Sequence, residues 1–111
     1  MDLDLLIQAK RERWLELQAL LTAIPDVTEA YFQQPNNVDM RYPCIVFAAD
    51  VVATQHASNR PYFRQQRYLV TIMDTRPNTP IEQYVAEMPT AKFNRRFTAD
   101  KLHHVVYTLF F

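Results

Sequence analysis

Apolar residues at Leu3, Leu6, Ile7, Trp14, Leu17, Leu20, Leu21 and Ile24 recur close to the period of an α-helix. Asp2 and Asp4 suit the positive end of the helix dipole, and Lys10-Arg11-Glu12-Arg13 reads as its wet face. Pro25 disfavours helix at Ile24, which sets the end. Trp14, Leu17, Leu20 and Leu21 are the expected buried stripe. The period then changes to two. Ala30-Tyr31-Phe32-Gln33 reads as a short strand, and Pro35, Asn36 and Asn37 break the chain. A long strand is predicted over about 43–54, with Ile45, Phe47, Ala49 and Val51 on one face and Cys44, Val46, Ala48, Asp50 and Val52 on the other. Residues 55–61 are polar and carry the turn signal Ser58-Asn59-Arg60-Pro61. The alternation resumes over about 62–74, so the two strands form one long hairpin.

Thr79-Pro80-Ile81-Glu82 is a helix start, with Thr79 as cap, Pro80 at the first helical position and Glu82 completing a capping box. Ile81, Tyr84, Val85 and Met88 give that short helix an apolar side, and Pro89 ends it. Strands over 91–98 and 102–111 follow, joined through Ala99-Asp100-Lys101. The predicted fold is α+β: an antiparallel β-sheet with a long β-hairpin and two helices packed on one face. Strands of about a dozen residues exceed the usual five or six. A hairpin that outruns its core is marginal alone, and the free edges of such a sheet invite pairing with another subunit.

Composition narrows the function. The 111 residues fit a single domain, 1–111, and carry 12 basic and 12 acidic side chains. Zero net charge argues against a dedicated nucleic-acid binder and leaves little repulsion to oppose self-association. The chain contains no glycine, which excludes the glycine-dependent phosphate loops and leaves Asn, Asp, Ser and Pro to make its turns. Its one cysteine, Cys44, lies in the apolar run Cys44-Ile45-Val46-Phe47 and reads as a small buried hydrophobe. The acidic start, Met1-Asp2-Leu3-Asp4, is unlike a secretory signal, and no apolar run approaches the ~20 residues of a membrane span. The expected location is a cytosol, or something assembled there.

No constellation of side chains points to an enzyme. His103 and His104 are neighbours and point to opposite faces of a strand, and His56 is brought to them by no sequence logic, so no metal site is expected. Asp50, Asp74, Glu82 and Glu87 have no spacing that pairs them for acid–base work. No cofactor is expected either. The arginines carry more information. Arg60, Arg64 and Arg67 interleave with Tyr62, Phe63 and Tyr68, and Arg95 and Arg96 stand between Phe93 and Phe97. Arginine among aromatics serves nucleic-acid binding and protein interfaces alike; the neutral net charge favours the interface. The candidate contact residues are Asn59, Arg60, Tyr62, Phe63, Arg64, Arg67, Arg95 and Arg96.

Several stretches carry a family resemblance: Tyr42-Pro43-Cys44-Ile45-Val46-Phe47, Asn59-Arg60-Pro61-Tyr62, Arg67-Tyr68-Leu69-Val70-Thr71 with Asp74, and Pro77-Asn78-Thr79-Pro80-Ile81. Phe93-Asn94-Arg95-Arg96-Phe97, Asp100-Lys101-Leu102-His103-His104 and the end Leu109-Phe110-Phe111 complete the set. Together they resemble the tail terminator, or tail completion, proteins of long-tailed bacteriophages, from about Asn36 to the last residue. The first helix matches only in kind. The chain departs from that pattern at Ala57-Ser58-Asn59, where an acidic Ala-Asp-Asp or Ala-Asp-Asn is common, and at His103-His104, where Asn-His is common. The resemblance implies an α+β subunit with a sheet and two packed helices. It implies a hexameric ring that caps the tail tube and joins the tail to the head–neck connector. The implied partners are further copies of the chain, the major tail tube protein and a connector or head completion protein. DNA would pass through the ring lumen without specific binding, no membrane would be involved, and the place of action would be the virion, assembled in the host cytoplasm. Another neck or head–tail connector subunit, or a nucleic-acid-binding accessory protein, is the alternative.

Overall fold

Helix α1 (Leu3–Thr22) comes first, then strands β1 (Glu29–Phe32), β2 (Cys44–Ala49) and β3 (Arg67–Asp74). Helix α2 (Ile81–Ala86) and the hairpin β4 (Lys92–Ala99) and β5 (Leu102–Phe110) complete the chain. The computed structural model describes residues 3–33, 40–50 and 66–111. Residues 51–54 and 62–65 of the predicted long hairpin and its tip, including His56, lie outside the described residues.

The five strands form one sheet in the order β1-β2-β3-β5-β4. Alternation sets its two faces. Ile45 and Phe47 in β2, Tyr68, Val70 and Ile72 in β3, and Val105, Tyr107 and Leu109 in β5 stand in register and are buried together. Leu17 and Leu21 of α1 and Ile81 and Val85 of α2 close over the same face, each with no exposed surface. Two helices on one face of a β-sheet is the expected α+β arrangement. One pair departs from the antiparallel rule: β1 runs parallel to β2, with Ala30 opposite Ile45 and Phe32 opposite Phe47. The segment between them, 33–43, is close to the dozen residues that a parallel return needs and is far too long for a tight turn.

The helix stripe is narrower than the apolar pattern predicted. Over the described side chains of the helix, Leu17 and Leu21 are buried, Trp14 is half-buried and lies flat on Phe32 (4.4 Å between centroids, 7° between planes), and Leu20 is 50% exposed. A single sheet face contacts little more than one turn-to-turn ridge of a helix, and Leu20 falls beside that ridge. The start of α2 also differs in detail. The Thr79 hydroxyl accepts from the Ile81 N–H at 3.3 Å, but Glu82 closes no capping box; its carboxylate is bound elsewhere.

Glycine-free turns are made by other residues at positive φ. Asp100 (53°) and Lys101 (64°) form the two-residue turn between β4 and β5, with Ala99 opposite Leu102. Two left-handed residues in succession are what a type I′ hairpin turn requires. At the other end of this hairpin Thr90 holds φ 70° and its hydroxyl both donates to the Phe110 carbonyl and accepts from the Phe110 N–H, each at 2.9 Å. The side chain thereby satisfies the two backbone groups that β4 no longer reaches.

Candidate interaction surface

Strand β4 is one of the two outer strands of the sheet, and its residues from Lys92 to Thr98 are all exposed. The register slips between Phe93 and Arg95, so Asn94 is a bulge. That one extra residue decides which side chains share a face. Phe93, Arg96 and Thr98 stand opposite Tyr107, Val105 and His103 on the helix-covered face. Arg95 and Phe97 stand opposite Val106 and His104 on the other. Arg95 and Arg96, adjacent in sequence, therefore serve different surfaces.

On the helix side, Arg96 donates to both oxygens of Glu82, at 3.3 and 2.9 Å, and its guanidinium lies 5.1 Å from the centre of the Phe93 ring. The Tyr107 hydroxyl donates to the same carboxylate at 3.0 Å, and Phe93 meets the Tyr107 ring edge-on at 5.7 Å. Burial, then the neighbouring carboxylate, pushes the Tyr107 hydroxyl pKa up. The cluster ties α2 to the β4–β5 hairpin. The Arg96 side chain is 54% exposed, so its ion pair contributes only ~0–1 kcal/mol.

On the opposite face, the Arg95 guanidinium sits 5.2 Å from the Phe97 ring centre, and Phe97 stacks on His104 at 4.5 Å with 12° between planes. His104 Nδ1 lies 3.1 Å from the Leu102 carbonyl oxygen, which only accepts, so that nitrogen carries the proton. His103 turns the other way and meets the Thr98 hydroxyl at 3.2 Å. The same face carries Val46 and Ala48 of β2, Leu69 of β3, and Val106 and Phe110 of β5. Among the described residues no helix packs on it. Arg67 is also here, held to Asp50 at 3.4 Å, but at the far end of β3, opposite Phe110.

The predicted contact residues thus do not form one cluster. Arg95 and Arg96 divide between faces, Arg67 stands two strands away, and Asn59, Arg60, Tyr62, Phe63 and Arg64 lie outside the described residues. Glu82 and Tyr107 belong to the Arg96 cluster and carried no sequence signal, because each reaches it only through the packing of α2 on β5. Three of the four carboxylates considered for acid–base chemistry bind arginines: Asp50 to Arg67, Glu82 to Arg96 and Asp74 to Arg76. Among the described residues no three His, Cys, Asp or Glu side chains are grouped to hold a metal ion. Cys44 is buried, and burial followed by the charge of Glu29 raises its thiol to about 11, so it is not a ready nucleophile. Among the described residues no helix is long and apolar enough to cross a membrane. Comparison with protein-family models, curated proteins and solved structures finds no match to this chain.

Proposed function

We propose that this chain is a structural virion protein without catalytic activity: a phage tail terminator that forms a hexameric ring, caps the tail tube and joins the tail to the head–neck connector. The observation that carries the reading is the sheet face opposite the helices. Val46, Ala48, Leu69 and Phe110 are half-buried there beside Thr71 and Thr108, Cys44, Met73 and Val106 are buried, no helix covers it among the described residues, and it is flanked by the exposed Arg95–Phe97 pair. Such a surface is suited to protein contact, where arginine and aromatic residues concentrate. The two-helix α+β architecture is of the kind the family resemblance implies, and the paired arginines and carboxylates supply binding groups rather than reacting ones. The ring contacts, the tube protein and the connector are the partners in this reading, with DNA passing through the lumen without specific contacts.

Deletion of the gene from the phage that encodes it tests the proposal. The expected result is tails of unregulated length that fail to join heads, rescued by adding the purified protein, with six copies at each capped tube end by electron microscopy. Normal, infectious particles from the deletion would overturn the reading. So would a monomeric protein that binds DNA with an affinity falling steeply as salt rises, which is the behaviour of a nucleic-acid accessory.

A further inference from the structure

The two edges of the sheet are not equivalent. At the β1 edge the Gln33 N–H donates to Phe47 in β2, so alternation turns the backbone groups of Ala30 and Phe32 outward. There α1 closes the edge: Gln18 Nε2 donates to the Ala30 carbonyl at 2.9 Å, and Trp14 covers Phe32. β1 is also only 4 residues long. The β4 edge is twice that length, 8 residues, and among the described residues no side chain closes it. Which of its groups are free follows from the ladder. Phe110 exchanges bonds with the Thr90 side chain on the β4 side, and Phe111 exchanges backbone bonds with Gln66 on the β3 side. Even-numbered residues of β5 therefore face β4. Phe97, opposite His104, bonds inward, and the N–H and C=O groups of Arg96 and Thr98 point out of the sheet.

We propose that this edge binds the same edge of a second copy of the chain, β4 against β4 in antiparallel register, to give a continuous ten-stranded sheet across a two-fold axis. A heterologous pairing of β4 with β1 is blocked by α1, so the open edge is left to pair with its own copy. The side chains fix the register. Placing Phe97 opposite Phe97 sets Arg96 opposite Thr98 and Arg95 opposite Ala99, so no like charges face each other. The two Phe97 rings, each 41% exposed in the single chain, then meet at a narrow, non-hydrogen-bonded position on the face opposite the helices. Shifting by one step one way brings Arg96 against Arg96. Shifting the other way drives the left-handed turn residue Asp100 (φ 53°) into the ladder. Zero net charge leaves little long-range repulsion against the pairing. The inference does not rest on the tail-terminator reading. A two-fold contact closes at two copies, whereas a ring with different faces for tail and head needs head-to-tail contacts, so the β4 pair is a state of the free subunit.

Sedimentation of the purified chain is expected to show a concentration-dependent dimer. Thr98→Pro removes an outward N–H that has no partner among the described residues; it is expected to weaken the dimer roughly tenfold or more while the circular dichroism and unfolding midpoint stay near wild type. Phe97→Cys, with Cys44 buried and unreactive, is expected to give a disulfide-linked dimer on mild oxidation, and Thr98→Cys a much weaker one, because equivalent Thr98 positions are offset along the ladder. A monomer at all concentrations, an assembly that folded Thr98→Pro leaves unchanged, or cross-linking as efficient at position 98 as at 97 would each overturn the proposal. A hexamer that Thr98→Pro does not disturb overturns it while leaving the ring reading intact.

Discussion

Among the described residues, Asp26, Gln33, Thr90, Asp100 and Lys101 hold positive φ without being glycine. For such residues the left-handed region costs roughly 1–2 kcal/mol, somewhat less for Asp. Lys101 has no compensating side-chain bond in the turn, so Lys101→Gly, which creates the favoured Asp-Gly type I′ pair, is expected to stabilise the chain by ~0.5–1 kcal/mol in chemical denaturation. Thr90 differs because its hydroxyl serves two backbone groups of Phe110. Thr90→Ala keeps the strain and removes both bonds, and is expected to cost about 1–2 kcal/mol. Among the described residues Asp74 is the buried charge, 1% exposed. Burial opposes its ionisation, but the Arg76 guanidinium and N–H and the Thr79 hydroxyl outweigh burial and hold its pKa below the ordinary carboxylate value. A pKa depressed on folding contributes stability above the unfolded pKa of about 4, and that contribution is lost as pH falls through the folded value. Asp74→Asn is therefore expected to cost about 2 kcal/mol at pH 7, with the gap from wild type closing as pH drops below about 4 in an acid series of unfolding midpoints.

At the scale of elements, the described side chains of α1 hold it through two leucines and one stacked ring. Trp14 is half-buried, so Trp14→Ala is expected to cost ~2–3 kcal/mol, below the ~3–5 of a fully enclosed aromatic. Leu17→Ala, at a site with no exposure, is expected to cost as much or more, and Leu20→Ala, half exposed, under ~0.5 kcal/mol. Equal losses at Leu17 and Leu20 in denaturant titrations would contradict the observed helix rotation. α2 is attached by Ile81, Val85 and the Glu82 carboxylate. Here the helix-start signature placed the element correctly and misjudged the Glu82 side chain, which turns to Arg96 and Tyr107. A capping box is worth a local bond to an exposed N–H, and Glu82 has two nearby donors from the hairpin instead.

For the whole molecule, the question is which surface recognises which partner. The paired strands β2 and β3 run toward residues 51–65, and the length of that predicted hairpin motivates a contact role for its tip. Under the proposed function, replacing residues 57–60 by a short turn is expected to leave the subunit folded and to impair tail completion; normal completion by the shortened protein would make the tip dispensable. The β4 edge is a separate surface, and its disruption by Thr98→Pro is expected to leave completion unaffected. The two surfaces are thus separable in the same pair of assays, sedimentation and tail completion.

Local pattern alone determined the helix of the first twenty-odd residues, the alternation that separates Ile45 and Phe47 from Cys44 and Val46, the start of α2 at Thr79-Pro80, and the Asp100-Lys101 turn. These features depend on residues within a few positions of one another, where sterics and the period of burial act directly. It also placed His103 and His104 on opposite faces, because alternation holds in any strand. Only the tertiary structure decided the rest. The parallel pairing of β1 depends on how a long connection returns. The exposure of Leu20 depends on the angle at which α1 meets the sheet. The separation of Arg95 from Arg96 follows in any strand, but the placing of Phe93 and Phe97 on opposite faces comes from a one-residue bulge at Asn94. The recruitment of Glu82 and Tyr107 to Arg96, and the closing of one sheet edge by Gln18 while the other stays open, arise between residues 12 to 25 positions apart. Contacts of that kind are set by the packing of whole elements, which no local period encodes.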